Sequence, residues 1–224
     1  MSVPSDLQDT VTAAEANWLK RWAEGPTERA PALLSSGMPA PDLTLPDETG
    51  TPRRLSEFWA EGPALVMFWR HFGCTCGVAR SDRLVAEFES YREANLTPVI
   101  IAQGHPNRAA RYLAAHAIPC AILCDPALEA YRAFGVGQWA VEQVLYDAAP
   151  EYWAHSRERG VEFQDSRRSE GRAPVDDPWR ATAEFVVGAG GLIRLAYAYQ
   201  YCEDYPDPRV LTTAARLSSL GANG

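Results

Sequence analysis

Two cysteines separated by one residue, Cys74 and Cys76, are the feature of this sequence best suited to chemistry. They follow a strand predicted over residues 64–70 and precede a helical pattern, so we expect them where a buried strand gives way to a helix. A helix N-terminus carries unpaired N–H groups and partial positive charge, which favour the thiolate, the reactive form of cysteine. Arg70 and His71 add positive character nearby. The pattern predicts redox or nucleophilic sulfur chemistry.

The two thiols suggest a two-step reaction. A thiolate that attacks a peroxide or a disulfide becomes a sulfenic acid or a mixed disulfide, which a second thiol resolves. We expect Cys74 to attack, because it aligns with the exposed end of the strand, and Cys76 to resolve, with the reverse assignment open. His71 could share a proton with the thiolate, hold an oxidant, or hydrogen-bond the backbone. Arg70 is expected to face a carboxylate or the thiolate.

The remaining cysteines carry weaker signals. Cys120 and Cys124 share one face of a predicted strand and are either a resolving pair or ordinary core residues. With Cys74 and Cys76 they could also supply four soft ligands for zinc or copper, although the spacing is not that of a zinc knuckle. We therefore expect no metal or other cofactor and keep this site as an alternative. Cys202 lies among acidic residues and is expected to be a bystander or a surface thiol.

The composition is that of a folded protein with a substantial core, with 46% hydrophobic and 22% charged residues. The net charge of −8 argues against nucleic acid and anionic membranes as partners. Residues 1–10 lack the basic flank and apolar core of a secretion signal, and no apolar run approaches the roughly 20 residues that span a bilayer. We therefore expect a cytoplasmic protein whose cysteines are mostly reduced.

The apolar pattern predicts the elements that position the thiols. Strands over residues 64–70, 99–102 and 121–124 alternate with helices, and such crossovers force the strands to be parallel. A glycine-containing loop joins strands over residues 184–187 and 192–197 into a β-hairpin, which adds antiparallel strands. The prediction is an α/β protein with a central mixed β-sheet flanked by helices.

Two segments lie outside this pattern. Residues 1–36 are expected to form an N-terminal helical arm and connector, and residues 37–224 the main domain. The helix of the arm must pack on that domain or on a second subunit, and its Trp18 and Trp22 make a homodimer plausible. Residues 138–180 are interpreted as an irregular insertion whose tryptophans pack or line a pocket.

The order of elements resembles the thioredoxin fold. Shorter motifs resemble the peroxiredoxin-like branch of the alkyl hydroperoxide reductase/thiol-specific antioxidant (AhpC/TSA) family. They lie at residues 37–43, 55–58, 68–74, 123–126 and 177–179. In typical members a proline and a threonine precede the reactive cysteine. Aligned on the strand, those two positions hold Arg70 and Cys74, and the position of the cysteine holds Gly77.

The resemblance implies an antioxidant, thiol-dependent oxidoreductase that reduces a peroxide or a disulfide through redox-active cysteines. Its electrons would come from a small thiol or a thioredoxin-type protein. Two alternatives remain. One is a thioredoxin-fold enzyme of a specialised pathway that acts on an organic sulfur or peroxide compound. The other is a metal-binding or redox-sensing module without turnover.

Overall fold

The computed structural model describes residues 4–28, 32–73, 75–145 and 161–220. In chain order the helices and strands are α1 (Ser5–Glu24), β1 (Thr44–Pro46), β2 (Pro52–Arg54), a 3-10 turn (Leu55–Trp59), β3 (Ala64–Phe68), α2 (Thr75–Glu93), β4 (Thr97–Ala102), α3 (Pro106–His116), β5 (Ile122–Cys124), α4 (Glu129–Phe134), α5 (Val141–Leu145), a helix over residues 161–169 (α6), β6 (Ala183–Val187), β7 (Ile193–Ala198) and α7 (Pro208–Leu220). Within these ranges, no helix has both the length and the apolar character needed to cross a membrane.

The central sheet has five strands in the order β5-β4-β3-β6-β7. β3 pairs in parallel with β4, and β4 pairs in parallel with β5, whereas β6 and β7 are antiparallel to their neighbours. The predicted mixed sheet is thus confirmed. Because side chains alternate along a strand, Val66 and Phe68 enter the core beneath α4, while Leu65 and Met67 enter the core beneath α2, α3 and α7. The unbroken apolar run of β3 follows from burial on both faces.

The predicted strand over residues 64–70 is two residues too long, since β3 ends at Phe68. The Tyr131 hydroxyl donates hydrogen bonds to the carbonyls of Trp69 and Ile101. A side chain thus occupies the place where the ladder would continue. Arg70 therefore leaves the sheet at its carboxyl edge.

The N-terminal arm packs on the domain of its own chain. The ring of Trp22 stacks on that of Trp179, with centroids 4.3 Å apart. Glu15 pairs with Arg167 and Arg168 on α6. A division of the chain near residue 36 stays a prediction. Part of the expected insertion, including Trp153, lies outside the described residues.

Candidate functional site

The site begins at the junction of β3 and α2. Cys76 is the second residue of α2, is 5% exposed and is disulfide-bonded. Cys120, Cys124 and Cys202 are free thiols. Cys74, the expected attacking residue, lies outside the described residues.

Cys76 lies in a small aromatic cluster separate from the two main cores. The buried members of this cluster are Cys76, Trp139, Trp179, Tyr199 and Cys202. The backbone carbonyl of Cys76 accepts a hydrogen bond of 2.9 Å from the Tyr205 hydroxyl. Side chains from both ends of the predicted insertion therefore enclose the first turn of α2.

Arg70 links the strand end to this cluster. Its guanidinium donates to the carbonyl of Pro178 and to the sulfur of Cys202, the latter over 3.4 Å. The same group lies 5.7 Å from the ring centroid of Trp22 and 5.6 Å from that of Trp139, within the range of cation–π attraction. The structure shows that Arg70 contacts the sulfur of Cys202, and the predicted orientation toward a carboxylate or the reactive thiolate stays a prediction, since Cys74 lies outside the described residues.

The expectation that Cys202 is a surface thiol is wrong, because its side chain is only 5% exposed. The carbonyl of Tyr199 accepts the indole N–H of Trp139 over 3.0 Å, which holds this stretch against the cluster. The carboxylate of Asp204, two residues after Cys202, accepts hydrogen bonds from the Tyr197 hydroxyl and the backbone of Gln200. The group that contacts the Cys202 sulfur is the guanidinium of Arg70, which no neighbour in the sequence indicates.

His71 lies in the connection between β3 and α2 and is buried. Its Nδ1 accepts the backbone N–H of Gly73 over 3.1 Å, a backbone contact that was one of its three predicted roles. Burial, together with the charges of Arg70 and Arg108, holds the pKa of His71 well below its usual range. The neutral ring therefore carries its proton on Nε2. Among the described residues, this buried Nε2 has no hydrogen-bond partner.

Cys120 and Cys124 lie elsewhere. Cys124 belongs to the core beneath α2 and α3, and Cys120 packs against the same core. Burial raises the pKa of each thiol to about 12, so both are protonated at neutral pH. In the described part of the chain, no group of three or more His, Cys, Asp or Glu residues could hold a metal ion. The predicted pairing of Cys120 and Cys124 on one face agrees with this core, and their resolving role stays a prediction.

A cavity of about 760 Å³ opens beside His71. Its lining includes Trp18, Phe72, Arg108, Arg111 and Phe163. No direct signal in the sequence marks this set. The parallel pairing of β3 and β4 does explain it in part, because parallel strands bring their carboxyl ends, and the loops and helices that follow, to one edge of the sheet.

The sheet order, the crossover helices and the strand-to-helix junction define a thioredoxin-like fold of the peroxiredoxin type. Three solved structures support this architecture. Peroxidoxin BcpB from Mycobacterium tuberculosis matches with a TM-score of 0.52 and 18% identity, covering 84% of this chain and 97% of its own. Thiol peroxidase from Chromobacterium violaceum matches with a TM-score of 0.54 and 16% identity, and the match covers 86% of this chain and 90% of that protein. The reduced 2-Cys peroxiredoxin of Plasmodium vivax matches with a TM-score of 0.56 and 11% identity, and the match covers 84% of each chain.

The sequence itself places the chain within a family. The model of the AhpC/TSA family matches residues 36–159, which is more than half of the chain, and the chain belongs to this family. Two curated relatives from Mycobacterium tuberculosis are 35% identical to this chain over 66 residues, and their names assign them provisionally to the peroxiredoxins. That match covers 28% of this chain and 43% of each relative, so the chain spans less than half the length of these relatives.

Proposed function

We propose that this protein is a thiol-dependent peroxidase in which Cys74 and Cys76 form the redox pair. Membership of the AhpC/TSA family supports the class of reaction. The observation that carries the proposal is the disulfide-bonded state of Cys76 in the first turn of α2, while Cys120, Cys124 and Cys202 are free. Cys74 is the fifth cysteine of the chain, and the proposal takes it as the partner of Cys76.

The reaction proceeds in balanced steps. The thiolate of Cys74 attacks the distal oxygen of a hydroperoxide, the O–O bond breaks, and an alcohol or water leaves with the proton that the thiol released. The sulfenic acid of Cys74 then condenses with the thiol of Cys76, which forms the S–S bond and releases water. Two thiols of an external donor reduce this bond by successive exchange and are themselves oxidised to a disulfide.

The assignment of roles rests on burial and on position. Cys76 is enclosed by aromatic rings, which suits a resolving thiol that waits for a sulfenic acid within its own chain. Cys74 occupies the position that a threonine holds in typical family members, and Gly77 that of the usual reactive cysteine. In the sequence, the proposed reactive cysteine is therefore three residues nearer to the strand end, where Arg70 and His71 lie.

Arg70 and His71 act as a cation and a neutral donor. The guanidinium of Arg70 is held by the Pro178 carbonyl and by two aromatic rings, so its positive charge stays at the strand end and favours thiolates there. His71 is neutral and cannot serve as the base for a thiol, because its Nδ1 is occupied by the N–H of Gly73. Its Nε2–H is instead available to donate to a peroxide oxygen.

The external donor is a small thiol or a thioredoxin-type protein, and a cytoplasmic location stays a prediction. A homodimer also stays a prediction. The tryptophans of the arm no longer require a second subunit, since Trp18 and Trp22 stack on each other and Trp22 on Trp179 within one chain. Sedimentation of the reduced and oxidised protein measures the oligomeric state directly.

The protein is first reduced and freed of reductant, and one equivalent of peroxide followed by mass spectrometry then tests the proposal. The parent should lose two hydrogens and form a Cys74–Cys76 bond. Cys76→Ser should instead accumulate a sulfenic acid on Cys74 that dimedone traps, and Cys74→Ser should give neither product. Cys120→Ser is the matched control, because that thiol is partly exposed but protonated, and it should behave as the parent does.

The outcomes separate the possible functions. A Cys74→Ser variant that consumes peroxide as fast as the parent would show that another sulfur attacks. Formation of the bond without turnover, in the presence of both a small thiol and a thioredoxin-type donor, would favour a redox sensor over an enzyme.

A further inference from the structure

The cavity beside His71 has the walls of a binding site for an organic molecule. It is lined by four aromatic side chains: Trp18 of α1, Phe72 between β3 and α2, Tyr112 of α3 and Phe163 of α6. Its volume of about 760 Å³ is within the range of small-molecule sites. Much of the wall lies in residues 163–176, beyond the stretch that matches the family model. This wall is therefore a feature of the chain and not of the matched family region.

His71, one of the residues that line the cavity, carries an unsatisfied donor. The Nε2–H of His71 is buried and has no partner among the described residues, while the opposite ring nitrogen is held by Gly73. Leaving a buried donor unpaired carries a free-energy cost that a bound acceptor would remove. Because His71 lines the cavity, an oxygen of a molecule bound there can supply the missing acceptor.

The charged side chains that line the cavity favour a ligand with negative charge. Four arginines line the cavity against two carboxylates. Three of the four have carboxylate partners: Arg108 with Asp176, Arg172 with Glu170, and Arg167 with Glu15. Arg111 is exposed at the rim, and within the described ranges its only hydrogen bond goes to the carbonyl of Asn107 over 3.3 Å. The wall therefore carries a surplus of positive charge at Arg111, although the protein as a whole is acidic, with a net charge of −8.

We propose that the cavity binds an organic acid with an apolar body, its carboxylate at Arg111 and an acceptor oxygen at the Nε2–H of His71. The charge of Arg108 acts on His71 directly, and Arg111 follows Arg108 by one turn on the same face of α3. Such neighbours on a helix lie about 5–6 Å apart, and Arg108, Arg111 and His71 all line the cavity, so we test ligands built on one substituted ring. Together with the proposed peroxidase function, on which this last step rests, the oxygen at His71 is that of a hydroperoxide.

Three unreactive probes of one shape test this by isothermal titration calorimetry. The first is 4-(2-hydroxypropan-2-yl)benzoate, which has both groups. The second is 2-phenyl-2-propanol, which lacks the carboxylate, and the third is 4-isopropylbenzoate, which lacks the hydroxyl. We expect the carboxylate to improve the dissociation constant by about two- to fivefold, as for an exposed ion pair. The hydroxyl should improve it by about two- to tenfold, as for a hydrogen bond to a buried donor.

Two pairs of variants assign these effects to residues. Arg111→Gln should abolish the preference for the carboxylate and keep that for the hydroxyl, whereas Arg216→Gln, at an exposed arginine on α7, should change neither. His71→Leu should abolish the preference for the hydroxyl. His71→Gln retains an N–H in a similar place and should preserve it, which keeps the test valid if the leucine variant folds poorly.

Equal binding of the three probes, or a carboxylate preference that survives Arg111→Gln, would overturn the proposal. The measurement is independent of the cysteines. A protein that reduces peroxides but binds no probe would lose the cavity proposal alone, and a protein that binds the acid but consumes no peroxide would lose the peroxidase function alone.

Discussion

A buried ion pair fixes the helix that carries Cys76 to the sheet. Arg80 lies one turn further along α2, and its Nε and Nη2 donate to the two carboxylate oxygens of Glu184 on β6 over 2.8 and 3.2 Å. The two residues are 3% and 1% exposed. Glu87 takes a further N–H of Arg80 over 3.2 Å, and the Tyr199 hydroxyl donates to Glu184 over 2.5 Å.

The magnitude follows from the burial of both charges. Replacing Arg80 with Met leaves the carboxylate of Glu184 buried, and among the described residues the Tyr199 hydroxyl is then its remaining hydrogen-bond donor. Breaking a pair of this kind costs about 3–5 kcal/mol of the free energy of unfolding. Removing both charges together is far less costly, because no uncompensated charge remains. Arg80→Met/Glu184→Gln should therefore recover about 2–3 kcal/mol relative to Arg80→Met alone, since the introduced amide oxygen can still accept from Tyr199.

Urea unfolding followed by far-ultraviolet circular dichroism measures these differences. The matched control is Arg92→Gln on the same helix, which removes an ion pair between Arg92 and Glu89 that is exposed at both ends. That substitution should leave the free energy of unfolding unchanged within error. If Arg80→Met costs no more than the control, or if the double variant loses the sum of its two single losses, the pair does not stabilise α2 as argued.

Two further predictions concern the edge of the site. Burial and two neighbouring guanidinium groups hold the pKa of His71 far below 6.5, so below pH 6.5 the unfolded chain binds a proton that the folded chain rejects. The free energy of unfolding should therefore fall with decreasing pH by up to about 1.4 kcal/mol per unit from this group, and His71→Gln should remove that part of the slope in urea titrations at about pH 7 and 5.5. Trp22→Ala should release α1 from the domain, because it removes the stack on Trp179, and amide hydrogen exchange in α1 should become at least about tenfold faster. The control is Leu19→Ala on the same helix, which should leave exchange unchanged because the Leu19 side chain is 51% exposed. If the protection of α1 survives Trp22→Ala, other contacts hold the arm.

The architecture was accessible from the sequence because its signals are local. The apolar run of β3 predicts burial on both faces, and the alternation of strands and helices predicts parallel pairing with β4 and β5. Gly135, at a φ of 76°, ends α4 as expected for a glycine in the left-handed region. The end of β3 could not be predicted from the sequence, because it depends on the hydroxyl of Tyr131, which lies far along the chain and donates a hydrogen bond to the carbonyl of Trp69.

The surroundings of the thiols were harder to predict, because sequence neighbours are poor guides to spatial ones. Acidic residues follow Cys202, yet its sulfur faces the guanidinium of Arg70. The carboxylate of Asp204 instead accepts hydrogen bonds from the Tyr197 hydroxyl and the backbone of Gln200. Which neighbour faces a thiol depends on such local hydrogen bonds, and periodicity does not encode them.

The parts of the chain that enclose the site lie largely outside the stretch that matches the family model, residues 36–159. Trp22 precedes that stretch, and Trp179 and Cys202 follow it, yet all three pack around Arg70 or Cys76. An external thiol must reach the sulfur that it attacks. Because Cys76 is covered by these residues, reduction must proceed through the other sulfur of the bond or through an opening of the cluster. In the proposed function, access to the pair of Cys74 and Cys76 therefore depends in part on segments that the family match does not include, and differences in donor or substrate from other members of the family should be sought there.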